Sequence, residues 1–217
     1  MKNIPMLVSL IIPLVALCAC LPQQKKSLAS DADGAASGNA GGDSLARSWV
    51  SDSEKFALEY PLVGSANIFV FRNAAQTAEI LEKGTGVVFL GFKECPWCQL
   101  YAVFLHDAAR EMELKRIFYC DIREDRENST ESYQKIVSIL SGLLQYDDEG
   151  RPRVFVPDVT IIDSGIIISR DYETSKDTLG YENAEDYWND ERVNALKNRL
   201  KEGIGQLSPN KPCNSCN

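Results

Sequence analysis

Six residues, Val87-Val88-Phe89-Leu90-Gly91-Phe92, form an unbroken apolar run, and after two further residues the chain reads Cys95-Pro96-Trp97-Cys98 and enters a helical pattern. A continuous apolar run is what a strand buried on both faces of a sheet requires. A helix that begins almost at once behind it makes a strand–turn–helix, the building unit of an α/β fold. Pro96 suits the first helical position, which puts Cys95 at the N-cap. There the helix dipole and the unpaired backbone N–H groups favour a thiolate, below the free thiol value of ~8.5. Cys95 is therefore the expected attacking thiol. Cys98, three positions along the helix and on its protein side, is the expected resolving thiol. A static disulfide and half of a metal site are the alternatives this spacing leaves open.

The chain around this junction alternates strands and helices from Trp49 onward. The pattern predicts a strand over Asn67 to Phe71 and a helix over Ala74 to Lys83 that stops at Gly84. Behind the cysteines, Trp97, Leu100, Tyr101, Phe104, Leu105, Ala108 and Met112 recur at helical spacing and read as core. Lys115 to Ile122 is the next strand, and its Cys120 reads as a small buried apolar side chain rather than a third redox group. The charge run Arg123 to Asn128 reads as a solvated entrance to a helix capped by Ser129, whose apolar stripe is Tyr133, Ile136, Val137, Leu140, Leu143 and Leu144. Asp147-Asp148-Glu149-Gly150 closes that segment and does not reproduce the liganding positions of a calcium loop. Arg153 to Ile162 is a strand interrupted by Pro157, which marks either the strand's start or a cis peptide. Asp163-Ser164-Gly165 turns it into Ile166-Ile167-Ile168-Ser169, and a last helix from about Ala184, capped by Asn183, buries Val193, Leu196 and Leu200.

Composition narrows the classes of function. At 217 residues and 44% hydrophobic content the chain can bury one core of ordinary size. Its formal net charge of -8 and its single histidine, His106, argue against a nucleic-acid surface and against a histidine-rich catalytic or metal centre. His106 has neither a serine nucleophile motif nor a carboxylate set beside it, so it reads as a helix residue. No metal ligand set and no cofactor are expected.

Residues 1–19 read as an export signal, since Lys2 is followed by an apolar stretch from Ile4 to Ala19 that is short for a membrane span. Leu17-Cys18-Ala19-Cys20 resembles the bacterial lipobox, with Cys20 the lipidated residue; cleavage after a small residue without a lipid is the alternative. Residues 20–45 are rich in Ser, Ala, Gly, Asp and Asn and read as a flexible, lipid-anchored linker with a reach of a few nanometres, roughly what a coil of two dozen residues spans. Residues 46–206 then form the folded domain, and residues 207–217 a tail carrying Cys213-Asn214-Ser215-Cys216. That second pair follows Pro209 and Pro212 and is too close to the chain end to begin a helix. It reads as a local disulfide or an inert pair in preference to a mobile redox tail or a soft-metal site, because two cysteines do not complete a tetrahedral zinc site.

The order strand, helix, strand, CxxC helix, strand, helix, Val-Pro strand, hairpin strand, helix resembles the thioredoxin fold over residues 64–204. This is an α/β architecture with a mixed central sheet flanked by helices, here with a helical insertion before the cis-proline strand. Within that group, Val87 to Cys98 and Val154 to Gly165 are similar to the thioredoxin-like bacteriocin transport accessory proteins of Gram-positive bacteria. The resemblance implies that Pro157 is a cis-proline set against Cys95 and Cys98, and that Val156 offers its backbone to an extended substrate, with Trp97 beside it. One position departs from the pattern: thioredoxin keeps a buried Asp six residues before its first cysteine, and this chain has Phe89 there. Lys93, Glu94 and Asp158 are the nearby groups left to influence the Cys98 proton. Pro96-Trp97 is nearer to the glutaredoxin dipeptide than to that of thioredoxin. The reading is an exported, membrane-anchored thiol-disulfide oxidoreductase. Its partners would be protein or peptide thiols and disulfides and a redox partner, with the membrane reached through the lipid. A peptide- or metal-binding module with a structural disulfide is the alternative.

Overall fold

The computed structural model describes residues 52–172 and 180–207. The export signal, the Cys20 lipidation site, the linker and the Cys213/Cys216 pair lie outside the described residues. Helix α1 covers residues 52–59, followed by strand β1 (Phe69–Phe71), helix α2 (Ala74–Lys83), strand β2 (Gly86–Gly91), helix α3 (Pro96–Glu111) and strand β3 (Ile117–Asp121). Then come α4 (Arg123–Glu127), α5 (Glu131–Ile139), the short strands β4 (Gln145–Tyr146) and β5 (Pro152–Arg153), β6 (Asp158–Asp163) and β7 (Ile166–Asp171). Helices α6 (Ala184–Tyr187) and α7 (Asp190–Gly205) complete the described chain.

Five strands form one mixed sheet in the order β1-β3-β2-β6-β7; β1, β3 and β2 run parallel, and β6 and β7 are antiparallel to their neighbours. The architecture is thus an α/β sheet flanked by helices. Alternation along the strands sorts the core into two layers. Val87 and Phe89 of β2, with Tyr119 of β3 and Val159 of β6, join the side chains of α1, α3 and α7 on one face. Val88, Leu90 and Cys120 join those of α2 and α5 on the other. β2 sits at the centre with helices over both faces, which is why its sequence is apolar throughout.

Local chemistry explains the boundaries. Asn73 caps α2 in a reciprocal box with Gln76, each side chain accepting the other's backbone N–H. In the β6–β7 turn Ser164 (φ 54°) and Gly165 (φ 80°) both take the left-handed conformation that a two-residue hairpin needs. Several expectations change. Met112, expected in the core stripe of α3, is exposed, because the helix ends at Glu111 and Met112 is its C-cap. Ser129 is not a cap: it sits at φ 50° between α4 and α5, and Thr130 accepts from the Tyr133 N–H instead. Leu143 leaves the apolar stripe and is exposed, because α5 ends at Ile139. The last helix is two, since Asn183 caps α6 and Asn189 restarts the chain as α7. The Asp147–Gly150 segment is a hairpin turn, with the Asp147 carboxylate accepting from the backbone N–H groups of Glu149 and Arg151.

Asp158, fully buried at the start of β6, is matched by Arg170 on β7. Arg170 Nε donates to Asp158 Oδ2 at 2.9 Å, and Thr160 Oγ1 donates to Oδ1 at 3.2 Å. The same guanidinium donates to the Leu143 carbonyl and lies 4.2 Å from the Tyr172 ring centroid. Removing one member of a buried pair strands the other. Arg170→Met should therefore lower unfolding free energy by about 3–5 kcal/mol, read from urea denaturation, and adding Asp158→Leu should restore most of the loss.

Candidate functional site

β2 ends at Gly91, and the chain turns through Lys93 and Glu94 to present Cys95 as the N-cap of α3, with Pro96 in the first turn. Two hydrogen bonds hold the turn from below: Gln99 Nε2 donates to the Lys93 carbonyl at 2.7 Å and to the Glu59 carbonyl at 2.8 Å, tying it to α1. The Cys95 sulfur takes the place of the usual capping oxygen and accepts the Cys98 backbone N–H at 3.1 Å. Both cysteines are free thiols.

The two thiols are unequal. Cys95 keeps 7% exposure and Cys98 none. The Cys98 thiol, donating to it, is the largest influence holding Cys95 below the ordinary thiol range; the backbone N–H groups of Cys98 and Trp97 and the Arg126 guanidinium add to it against the opposing effect of burial. Cys98 is pushed well up, first by burial and then by donating to Cys95. The surroundings thus push the two thiols in opposite directions, Cys95 down and Cys98 up.

The Val156–Pro157 peptide is cis. Leu90 pairs with Asp158 across β2 and β6, so Pro157 stands opposite Gly91, at the strand end that leads into the cysteine turn. Val156 packs against the same core layer as Cys95 and Cys98. Trp97 is half-buried, its ring meeting Tyr187 of α6 edge-on at 5.3 Å. Lys93 and Glu94 are exposed, with Glu94 3.2 Å from Arg123, and Asp158 is engaged by Arg170. Cys120 lies in the opposite core layer, and burial pushes its thiol up to about 12. His106 is buried near Phe69, and desolvation first, then Arg110, lowers its pKa. It lies eleven residues beyond Cys95, about 16 Å along the helix.

Three residues of this neighbourhood were not legible from the sequence. Arg126, read as part of a solvated charge run, turns inward: it is half-buried, donates to the Val154 carbonyl at 3.3 Å, lies 5.2 Å from the Phe92 ring centroid and bears on both thiols. Tyr60, at the end of α1, and Tyr119, on β3, are fully buried and joined by a hydroxyl–hydroxyl hydrogen bond of 3.1 Å. The i, i+4 pair Phe56 and Tyr60 was the available signal for α1. Among the described residues no three His, Cys, Asp or Glu side chains are grouped to hold a metal ion, and no helix is long and apolar enough to cross a membrane.

No family model, curated protein or solved structure matches the chain. The site's chemistry therefore rests on its own geometry.

At pH 7 the reduced protein should react with iodoacetamide at Cys95 first, with Cys98 and Cys120 much slower, as read by peptide mapping. Because Arg126 favours the Cys95 thiolate, Arg126→Gln should raise the midpoint of the Cys95 rate–pH profile and slow alkylation several-fold below it. Equal rates at Cys95 and Cys98 would contradict the assignment.

Proposed function

We propose that this domain is a thiol-disulfide oxidoreductase of thioredoxin-like fold that acts on protein disulfides, with Cys95 attacking and Cys98 resolving. The observation that carries the reading is the opposed pair of environments three residues apart: a thiolate favoured at the mouth of α3 and a thiol favoured beneath it. A static disulfide has no use for that asymmetry. An exchanging pair does, because the first step needs a thiolate at the surface and the second needs a protected thiol released only by the mixed disulfide.

The strand order β1-β3-β2-β6-β7 and the cis peptide at Pro157 support the fold part of the proposal. The reaction has two balanced steps. The Cys95 thiolate attacks one sulfur of a substrate disulfide, forming a Cys95–substrate bond and expelling the other sulfur as thiolate. Cys98 then attacks the Cys95 sulfur; the Cys95–Cys98 bond forms, the Cys95–substrate bond breaks, and the departing sulfur takes up the proton that Cys98 loses. Two electrons pass to the substrate, and a partner dithiol returns them. Val156 and Pro157, at the strand end beside the turn, supply the edge along which an extended substrate lies, and Trp97 flanks it. The Cys20 lipobox and the export signal put this chemistry outside the cell membrane, on a tether. The likeness of Val87 to Cys98 and Val154 to Gly165 to the bacteriocin transport accessory group belongs to the same proposal.

The test is capture. A Cys98→Ala chain should accumulate mixed disulfides through Cys95 that dithiothreitol releases, whereas the Cys95→Ala chain should accumulate none. Absence of adducts with Cys98→Ala under conditions where substrate disulfides are abundant would overturn the assignment.

A further inference from the structure

The buried environment of Cys98 lacks the carboxylate that the resembling family places there, and Phe89 fills the position with a ring. That ring contacts the two phenols of the same layer, its centroid 6.1 Å from that of Tyr60 and 5.5 Å from that of Tyr119. Gly91 is the open point in the wall. A Cβ there would lie 3.3 Å from Tyr60 Oη and 3.4 Å from Cys98 Sγ, so the hydroxyl and the sulfur both border the space that a side chain at this position would fill. Tyr60, Tyr119 and Cys98 are all fully buried, which excludes bulk water as the partner of a charge formed on that sulfur.

We propose that Tyr60 is a positioning residue for Cys98: its hydroxyl turns from Tyr119 to the Cys98 sulfur and donates to it as the sulfur gains negative charge during resolution of the mixed disulfide. The inference deepens the oxidoreductase reading and rests on it.

Hydroxyl chemistry makes the turn inexpensive. In the dithiol form Tyr60 Oη donates to Tyr119 Oη at 3.1 Å, and a phenol both donates and accepts and rotates about its C–O bond. When Tyr60 turns to the sulfur, its oxygen is free to accept from Tyr119, so the pair reverses direction without leaving a buried donor unmatched. Burial, as the largest influence, raises both phenols above their ordinary range, so each keeps its proton and remains a donor at neutral pH. The surrounding charges are consistent. Cys95 and the Arg126 guanidinium face Cys98, while Asp121 and Glu59 bear on Tyr119 and disfavour its ionisation. No proton leaves either tyrosine: as Cys98 attacks, its proton passes to the departing substrate sulfur, and Tyr60 only stabilises charge.

The test uses the full chain carrying Cys95→Ala, so that Cys98 reacts alone, and follows Cys98 alkylation by iodoacetamide against pH with peptide mapping. Adding Tyr60→Phe should move the midpoint of the profile upward and slow alkylation below it by about tenfold or more, the weight of one hydrogen bond to a charged group. Adding Tyr119→Phe instead frees Tyr60 to donate to Cys98 permanently and should leave the rate unchanged or raise it. Opposite responses support the proposal. Equal slowing by both variants marks a packing effect and overturns it, as does no response to Tyr60→Phe. If Tyr60→Phe does not fold, Tyr119→Phe decides alone, because any slowing there contradicts the hydrogen bond. Substrate capture by Cys98→Ala is unaffected by either outcome, so failure of the oxidoreductase reading shows separately as loss of adducts.

Discussion

The hydrogen bond from the Cys98 amide to the Cys95 sulfur depends on nearly every element of the domain. It closes the first turn of α3 with a sulfur where most helices use a hydroxyl or a carboxylate, and it adds to the influences that lower the pKa of the cap thiol. The bond exists because β2 ends at Gly91, because the turn through Lys93 and Glu94 is clamped by Gln99, and because Pro96 needs no amide partner. Ahead of it lies a strand that must be apolar on both faces, and behind it a helix that must bury a stripe.

Around that bond the molecule is deliberately two-sided. The layer under α3 and α7 is aromatic, with Phe56, Tyr60, Phe89, Tyr101 and Tyr119 in stacked or edge-on contacts. It raises the energy of any charge on Cys98 while offering phenol hydroxyls at its edge. The far layer, under α2 and α5, takes Cys120, where burial raises its thiol pKa. Gly91 joins the two requirements. A Cβ there would meet the Phe89 ring at 3.0 Å, tighter than most packed side chains show, and would also press on the Tyr60 hydroxyl at 3.3 Å.

Much of this was legible in the sequence. The apolar run of β2, the stop at Gly84, the Ser164-Gly165 turn and the Asn183 cap follow from periodicity and turn chemistry within each segment, and the structure places each where those rules put it. The cysteine pair was legible for the same reason, since an N-cap is a local property. What was not legible depends on distant residues meeting. Arg126 reads as one charge among many until α4 folds it against Phe92. Tyr60 and Tyr119 are 59 positions apart, and nothing in either segment announces the other. Ser129 carried the right chemistry for a cap and lost the place to Thr130, because the chain first makes a separate turn of helix at Arg123–Glu127.

The central claim is that this junction poises the Cys95–Cys98 pair for exchange. Equilibration of the full chain with glutathione or dithiothreitol buffers, read by mass after acid quenching and alkylation, gives the reduction potential of the pair. A favoured Cys95 thiolate stabilises the reduced form, so the potential should lie above roughly -300 mV, in the range of catalytic dithiols. A value well below that limit, together with resistance to reduction by glutathione, would make the bond structural and contradict the account.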